Sequence, residues 1–491
     1  MTSIATNDAT AAIAGMAATA ATAPSPEMNA RTRMLLEGPI VPTILRLGAP
    51  NVLVMVSQAA AGLIETYFVG KLGTDALAGM ALVFPVVMLM TMLSAGAMGG
   101  AIASAIARAL GARRREDADA LVMHALVIGL GLGLVFCVTI LLGGRWLYAE
   151  MGGTGGALAA ALTYSNWVFA GAVLIWLFNS LSAIIRGTGN MAVPAKVTVA
   201  GTIFLIPLSP LLIFGWGPIP PLGIAGGAIA LLLFYACGTV ALAAYLWSRH
   251  SPLRPAVRSV TYRWPLFRDI LRVGAVGAVS TVATNLVIAI ATAQAGGFGV
   301  AAIAGYGTAS RLEYLLVPLV FGLGAPLIAM VGTCIGAGLR ERALRAAWIG
   351  AAMAFGMTEA IGLWAAFIPH AWLGLFASDP AMLAAGSIYL RTVGPLYGFF
   401  GLGLILFFAS QGAGRLLWPM LGNVSRLLVA AIGGWLALRA GSGLQGVFAA
   451  QAIALVIYGV LNASAIAGGV WFGPFGWPAT PGNLLRRLQL A

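Results

Sequence analysis

The sequence predicts an all-α integral membrane protein with twelve transmembrane helices, from its hydropathy, the number of its apolar runs and the placement of its arginines. Sixty per cent of the 491 residues are hydrophobic and only 8% are charged. A soluble domain cannot bury that much apolar surface. A bilayer admits only helices or closed barrels, and the apolar runs have the length of spanning helices, about 20 residues or more. We therefore predict helices.

The apolar runs define twelve spans separated by short polar segments. Their approximate limits are 46–70, 77–107, 121–143, 158–184, 194–215, 222–247, 270–295, 301–334, 344–369, 386–411, 418–439 and 444–468. The predicted organisation is a disordered tail (1–37), a first half (38–248), a cytoplasmic linker (249–269), a second half (270–468) and a C-terminal tail (469–491).

Basic residues are concentrated on one side of the predicted spans. With the loops numbered alternately, one side holds 21 of the 27 Lys and Arg residues, including Arg108 and Arg186. Basic loops remain in the cytoplasm, so both termini are predicted to be cytoplasmic. The same rule accounts for the net charge of +13 without a nucleic-acid partner.

An internal repeat relates the two halves. "ALGARRREDA" (109–118) resembles "CIGAGLRERA" (334–343), and "RGTGNMAVP" (186–194) resembles "QGAGRLLWP" (411–419), both at an offset of 225. Six spans lie in each half, so the repeat is parallel, and secondary transporters commonly place their site between such halves. No P-loop motif is present, so we expect transport to be driven by an ion gradient.

Several motifs in this order resemble the multidrug and toxic compound extrusion (MATE) family, part of the MOP flippase superfamily. They are "IETYFVGKLGTDALAG", "ARALGARRREDA", "RGTGNMAVPAKV", "LSPLLIFGWGPIPPLGIAGGAIA", "GYGTASRLEYL" and "GAGLRERA". The resemblance covers roughly residues 38–468. It implies two pseudo-symmetric six-helix lobes around a central cavity, and a monomer in the bacterial inner membrane. It also implies export of amphipathic, often cationic, drugs in exchange for protons or sodium.

Of the 14 acids, only Glu65, Glu313 and Glu359 lie well inside the spans. A charge at mid-bilayer costs about 2.5–3.5 kcal/mol, so such residues are usually functional. Asn51, Gln58 and Glu65 recur every seven residues and share one face of the first span. We predict that they form the ion-coupling site in the bundle interior; the alternative for Glu65 is a structural hydrogen bond to a neighbouring helix.

The second half contributes a further set of candidates for substrate binding or secondary coupling. The repeat partner of Glu65 is Ala291, but the same span carries polar side chains on one face. Glu313 follows Arg311 by two residues, which prevents a pair within one helix, so each is expected to pair across helices. The candidates in this half are Thr281, Asn285, Arg311, Glu313 and Glu359. Arg426 is expected to extend toward the cytoplasmic surface.

Departures from the family pattern bear on the ion and the substrate. Relatives have N-x-x-x-D-P on the fifth helix, where this chain has Leu205 and Ser209. Fewer oxygen ligands favour protons over sodium. The alternative function is a flippase for lipid-linked oligosaccharide or lipid, which needs a basic cavity; only Arg311, Arg391 and Arg426 lie well inside the predicted spans, away from their ends, which disfavours it. We predict no enzymatic activity, no metal and no cofactor beyond the coupling ion.

Overall fold

The protein is described by a computed structural model covering residues 29–217, 220–255, 261–376 and 379–472. Eleven described helices are long and apolar enough to span a membrane, and a bent pair makes twelve. The spans are Ile40–Gly70 (α1), Thr74–Gly111 (α2), Arg115–Glu150 (α3), 155–187 (α4), Ala192–Phe214 (α5), Ile224–Leu246 (α6), Trp264–Gly296 (α7), Val300–Gly336 (α8), Arg340–Phe367 (α9), Pro380–Gly412 (α10), Leu417–Arg439 (α11) and Gly443–Ala467 (α12). This confirms the predicted fold class.

Two spans depart from a straight α-helix, one by a bend and the other by a π-helical segment. The bent pair is α4, which turns by 48° between Gly155–Ala170 and Ala172–Gly187. In α2 the segment Met92–Met98 is π-helical. Such a bulge is often found at a functional position, because it alters which carbonyl groups bond within the helix.

The structure corrects the predicted boundaries of the first tail and the linker. Residues 30–37, assigned to a tail, form the short helix Ala30–Glu37, whose Leu35 is buried. The helix α7 begins at Trp264, so the linker is shorter than predicted. The rest of the predicted N-terminal tail, residues 1–28, and residues 473–491 of the C-terminal tail lie outside the described residues.

The spans form two six-helix lobes, α1–α6 and α7–α12, and equivalent glycines reveal their repeat. A β-carbon on Gly79 of α2 would lie 2.7 Å from the backbone nitrogen of Ala161 in α4. A β-carbon on Gly305 of α8, 226 residues later, would lie 2.7 Å from the nitrogen of Gly386 in α10. Both glycines allow close backbone packing between equivalent helices of each lobe.

The lobes pack together at one end and separate at the other. At the end that carries most loop arginines, here called the basic side, Gly48 of α1 approaches Gly322 of α8: a β-carbon would lie 3.1 Å from its carbonyl oxygen. Gly336 of α8 packs in the same way against the backbone of α2. Toward the opposite side, no described atom lies within 4 Å of a β-carbon placed on Gly62 of α1 or on Gly307 of α8. A cleft between the lobes therefore opens away from the basic side.

Candidate functional site

Glu65 is buried within the first lobe, on the half of α1 farther from the basic side. Its side chain is 8% exposed. The hydroxyl of Tyr164, on α4, donates a hydrogen bond of 2.9 Å to Oε1 of Glu65. The backbone of α6 also comes close, because a β-carbon on Gly227 would lie 3.4 Å from the same oxygen. Three helices therefore meet at this carboxyl group.

The structure separates the three residues predicted to share the α1 stripe. Asn51 is buried, and its Nδ2 group donates to the carbonyl oxygen of Leu47 at 3.4 Å. Gln58 is exposed and has no hydrogen bond among the described residues. Gln58 makes no hydrogen bond to Asn51 or Glu65 in this conformation, and its predicted place in an ion-coupling site in the bundle interior stays a prediction.

The neighbouring helix α5 offers Glu65 little further polar contact. Leu205 and Ser209 are both buried, and the Ser209 hydroxyl has no hydrogen-bond partner within the described chain. No group of three or more His, Cys, Asp or Glu side chains among the described residues is arranged to hold a metal ion. Among the described residues, the Tyr164 hydroxyl is thus the side-chain group that bonds to the Glu65 carboxyl group, and the phenol of Tyr235 on α6 lies near it.

Glu313 of α8 belongs to a buried network in the second lobe. It accepts a hydrogen bond from the hydroxyl of Tyr389 on α10, and its Oε2 lies 3.5 Å from Nη2 of Arg426 on α11. The guanidinium of Arg426 also lies near the rings of Phe400 and Tyr458, at 5.3 and 5.8 Å. Glu313 therefore pairs across helices as predicted, whereas Arg426 is buried and does not extend to the surface.

Glu359 of α9 forms a hydrogen bond with the backbone of α10. The helix α10 is interrupted by a 3-10 turn at Gly394–Leu396, after which the first amides of the new helical segment lack partners within it. Oε2 of Glu359 accepts a hydrogen bond of 2.7 Å from the backbone N–H of Gly398 in that segment. The carboxylate thus caps an internal helix start, where negative charge is favourable.

Arg311 borders a groove in the second lobe, and Asn285 of α7 lies beside the first lobe. Arg311 is exposed, lies 5.5 Å from the ring of Phe376 and borders a groove of about 410 Å³. Thr281 donates to the carbonyl of its own helix at 3.1 Å. Asn285 donates to the Thr281 carbonyl at 2.9 Å and lies 3.9 Å from the sulfur of Met92 in the other lobe. Asn285 therefore marks a level at which the lobes still touch.

The seam on the basic side contains polar residues that the sequence analysis had assigned to loops or to the ends of spans. Nη2 of Arg108, on α2, binds both carboxylate oxygens of Asp269, on α7, at 2.8 and 2.9 Å. Gln411, on α10, donates to the carbonyl oxygens of Gly96 and Ala97 in the π-helical segment of α2, at 3.3 and 3.1 Å. These contacts join the two lobes.

Arg186 is the second residue of this seam that sequence reasoning missed. It lies in the helix Ala172–Gly187, not in a loop, and lines a narrow, partly open space between α2 and α8. The first half therefore does contain an arginine between the lobes, contrary to the argument used against a basic cavity. The offset of 225, which pairs Arg186 with Gln411, was the signal that could have identified it.

Comparison with known proteins gives consistent matches across most of the chain. The MatE family model matches residues 50–211 and 278–436, once in each lobe. The FAD transporter of Shewanella oneidensis is 26% identical over 439 residues, 87% of this chain and 94% of that protein. A probable multidrug resistance protein NorM of Deinococcus radiodurans is 30% identical over 376 residues, 71% of this chain and 77% of that protein.

Two solved structures show the same fold. One is a MOP superfamily transporter from Pyrococcus furiosus, with a TM-score of 0.81 and 25% identity over 89% of this chain and 97% of that chain. A reverse polarity of its binding pocket is said to suggest a different function for that transporter. A crystal structure of MATE in the bent conformation has a TM-score of 0.82 and 26% identity, covering 89% of this chain and 96% of that chain.

Proposed function

This chain belongs to the MatE family of MOP-superfamily efflux transporters, and on that premise we propose that it is a secondary active antiporter that exports amphipathic organic compounds in exchange for protons. The observation that carries the proposal is the position of Glu65: a buried carboxyl group at the meeting point of α1, α4 and α6, toward the open side of the cleft.

A proton can couple to transport at Glu65 because its uptake changes contacts between helices. A charged carboxylate is costly in a site removed from water, and its hydrogen bond from Tyr164 is stronger when it is charged. Protonation removes the charge and allows the carboxyl group to donate as well as accept. The two protonation states therefore differ in their interactions with α4 and α6, and this gives two conformations different stabilities.

The chemistry around Glu65 favours protons over sodium. Hard cations are held by several oxygen ligands, and among the described side chains Tyr164 alone forms a hydrogen bond with the Glu65 carboxyl group. The fifth helix places the apolar Leu205 where the family pattern has an amide. A proton needs only one titratable group, and Glu65 provides it.

The basic side is proposed to face the cytoplasm of a bacterial cell, with the protein in the inner membrane. Arg113, Arg114, Arg340 and Arg342 lie in or beside loops on that side, as the preference of basic loops for the cytoplasm requires. The cleft described above then opens to the outside, and protons and departing substrate share that opening.

The substrate is either an amphipathic cation or an anionic aromatic compound, and different observations favour each class. The family resemblance favours amphipathic cations. Glu65, Glu313 and Glu359, however, are each engaged by protein groups. Arg311 has no hydrogen bond or ion pair within the described part of the chain and borders a groove lined by α8, α10 and Phe376. That cation favours the second candidate, an anionic aromatic compound, in line with the name of the FAD transporter relative.

Transport in proteoliposomes tests the coupling. Purified protein would be reconstituted, and uptake of a fluorescent cation, ethidium, and of FAD would be followed after imposing a pH gradient in sodium-free buffer. We expect movement of at least one probe with the gradient and none after a protonophore. Transport that requires sodium and ignores the pH gradient would refute proton coupling; equal movement without any gradient would refute antiport.

A further inference from the structure

Arg186 is a cation held inside the seam between the lobes. It is partly exposed and borders a narrow, partly open space of about 10 Å³ whose other walls are residues of α2 and α8, among them Gly100, Phe321 and Ile328. A β-carbon on Gly99 would lie 3.6 Å from Nη2 of Arg186. The side chain thus points between the two lobes, beneath the cleft, and not along the membrane surface.

The charge of Arg186 is not neutralised in this conformation. Within the part of the chain that the structure describes, its guanidinium has no hydrogen bond and no ion pair. Asp269, an acid of the same seam, already binds Arg108 at 2.8 Å. Arg186 is only partly exposed, and the space that it borders is otherwise lined by glycine, alanine and apolar side chains. An unpaired cation there is costly, and a bound anion would offset that cost.

The pseudo-symmetric position shows that packing does not require an arginine. Gln411 occupies the place of Arg186 in the second lobe, 225 residues later. It is fully buried, and its amide donates to the carbonyl oxygens of Gly96 and Ala97 across the seam. A neutral residue therefore fills the equivalent place with its donor group satisfied, and the charge is particular to Arg186.

We propose that Arg186 binds the phosphate or carboxylate group of an anionic amphipathic substrate when the lobes part on the basic side. This inference rests on the proposed export function and specifies its substrate class. In that conformation the guanidinium would be open to the cytoplasm, where a planar, permanently charged fork suits phosphate and carboxylate oxygens.

Closure of the seam would then release the anionic group. A space of about 10 Å³ is close to the smallest that holds one water molecule, and a phosphate group cannot remain in it. The same residue therefore has high affinity for the anion in one conformation and none in the other, which is the differential binding that transport in one direction needs. After release, the guanidinium of Arg186 has no counter-charge in the closed seam, and this unpaired charge favours reopening of the seam.

Flavins provide matched probes, since riboflavin, FMN and FAD share one ring system and differ in phosphate content. Proteoliposome transport under a pH gradient would be compared for wild type, Arg186→Gln, Arg186→Lys and the exposed control Arg145→Gln. We expect Arg186→Gln to lower FMN and FAD transport at least tenfold and to leave riboflavin or ethidium transport unchanged. Arg186→Lys should retain part of the FMN and FAD transport, and Arg145→Gln should match wild type. Equal FMN transport by wild type and Arg186→Gln would overturn the inference, and so would wild-type transport confined to uncharged or cationic probes.

A binding measurement separates this inference from the proposed function. In detergent, Asp269→Asn removes the partner of Arg108 and so weakens the closed seam. FMN titration, followed by its fluorescence, should give at least tenfold weaker binding when Arg186→Gln is added to that variant. Gln mimics the residue found in the other lobe, and size-exclusion chromatography would verify folding. Unchanged affinity refutes the role of Arg186 even if export succeeds; failure of proton-driven export with intact Arg186-dependent binding refutes the proposed function alone.

Discussion

Replacing Glu65 by Gln removes the titratable group and leaves the packing of α1, α4 and α6 in place. The amide of the substituted side chain retains an oxygen that can accept the 2.9 Å hydrogen bond from Tyr164. A hydrogen bond to a charged group contributes about 1.5–3 kcal/mol and a neutral one about 0.5–1.5 kcal/mol. The largest expected loss of stability is therefore about 1–2 kcal/mol, which the fold should survive.

Transport is expected to change far more than stability. Glu65 is the buried acid of the first lobe, and Gln cannot take up a proton, so gradient-driven efflux should fall at least tenfold, the equivalent of about 1.4 kcal/mol. The assay is efflux from proteoliposomes with an imposed pH gradient, normalised to protein incorporated. Glu65→Asp keeps the acid but shortens its reach to Tyr164, so it should retain part of the rate. Wild-type efflux by Glu65→Gln at normal expression would refute the assignment and make Glu313 the next candidate.

Three further predictions follow from the packing. Glu313→Gln leaves Arg426, whose side chain is 5% exposed, without its counter-charge, so the variant should lose about 3–5 kcal/mol of stability. The loss is measurable as a lower unfolding temperature in detergent. An unchanged unfolding temperature would mean that the pair is not buried in solution. Gly336→Ala would drive a methyl group into the backbone carbonyl of Arg108 in α2 and should hold the seam open. Gly62→Ala meets no described atom within 4 Å and should leave the distance between the lobes unchanged. Distances between spin labels on the two lobes would show whether only the first variant widens the basic side. Glu359→Ala removes a helix-capping acceptor and should cost about 1 kcal/mol with proton coupling intact, so loss of coupling without unfolding would show that Glu359 does more than cap.

The sequence by itself determined the architecture, because the membrane imposes local rules. Each span must satisfy its backbone hydrogen bonds within itself, so an apolar run of sufficient length is a helix wherever it occurs. The twelve predicted runs correspond to the twelve observed spans, and the repeat at offset 225 predicted the two halves. Glu65 stood out for the same reason, as an acid inside an apolar run.

Only the tertiary structure decided the partners of the buried polar residues. Tyr164 is 99 residues from Glu65, and Arg426 is 113 residues from Glu313; no local pattern couples such positions. Hydropathy also does not reveal how far a helix end projects into a seam, which is why Arg186 was assigned to a loop. Its position at the seam follows from the packing of the second segment of α4 against α2 and α6, which hydropathy along the chain does not encode.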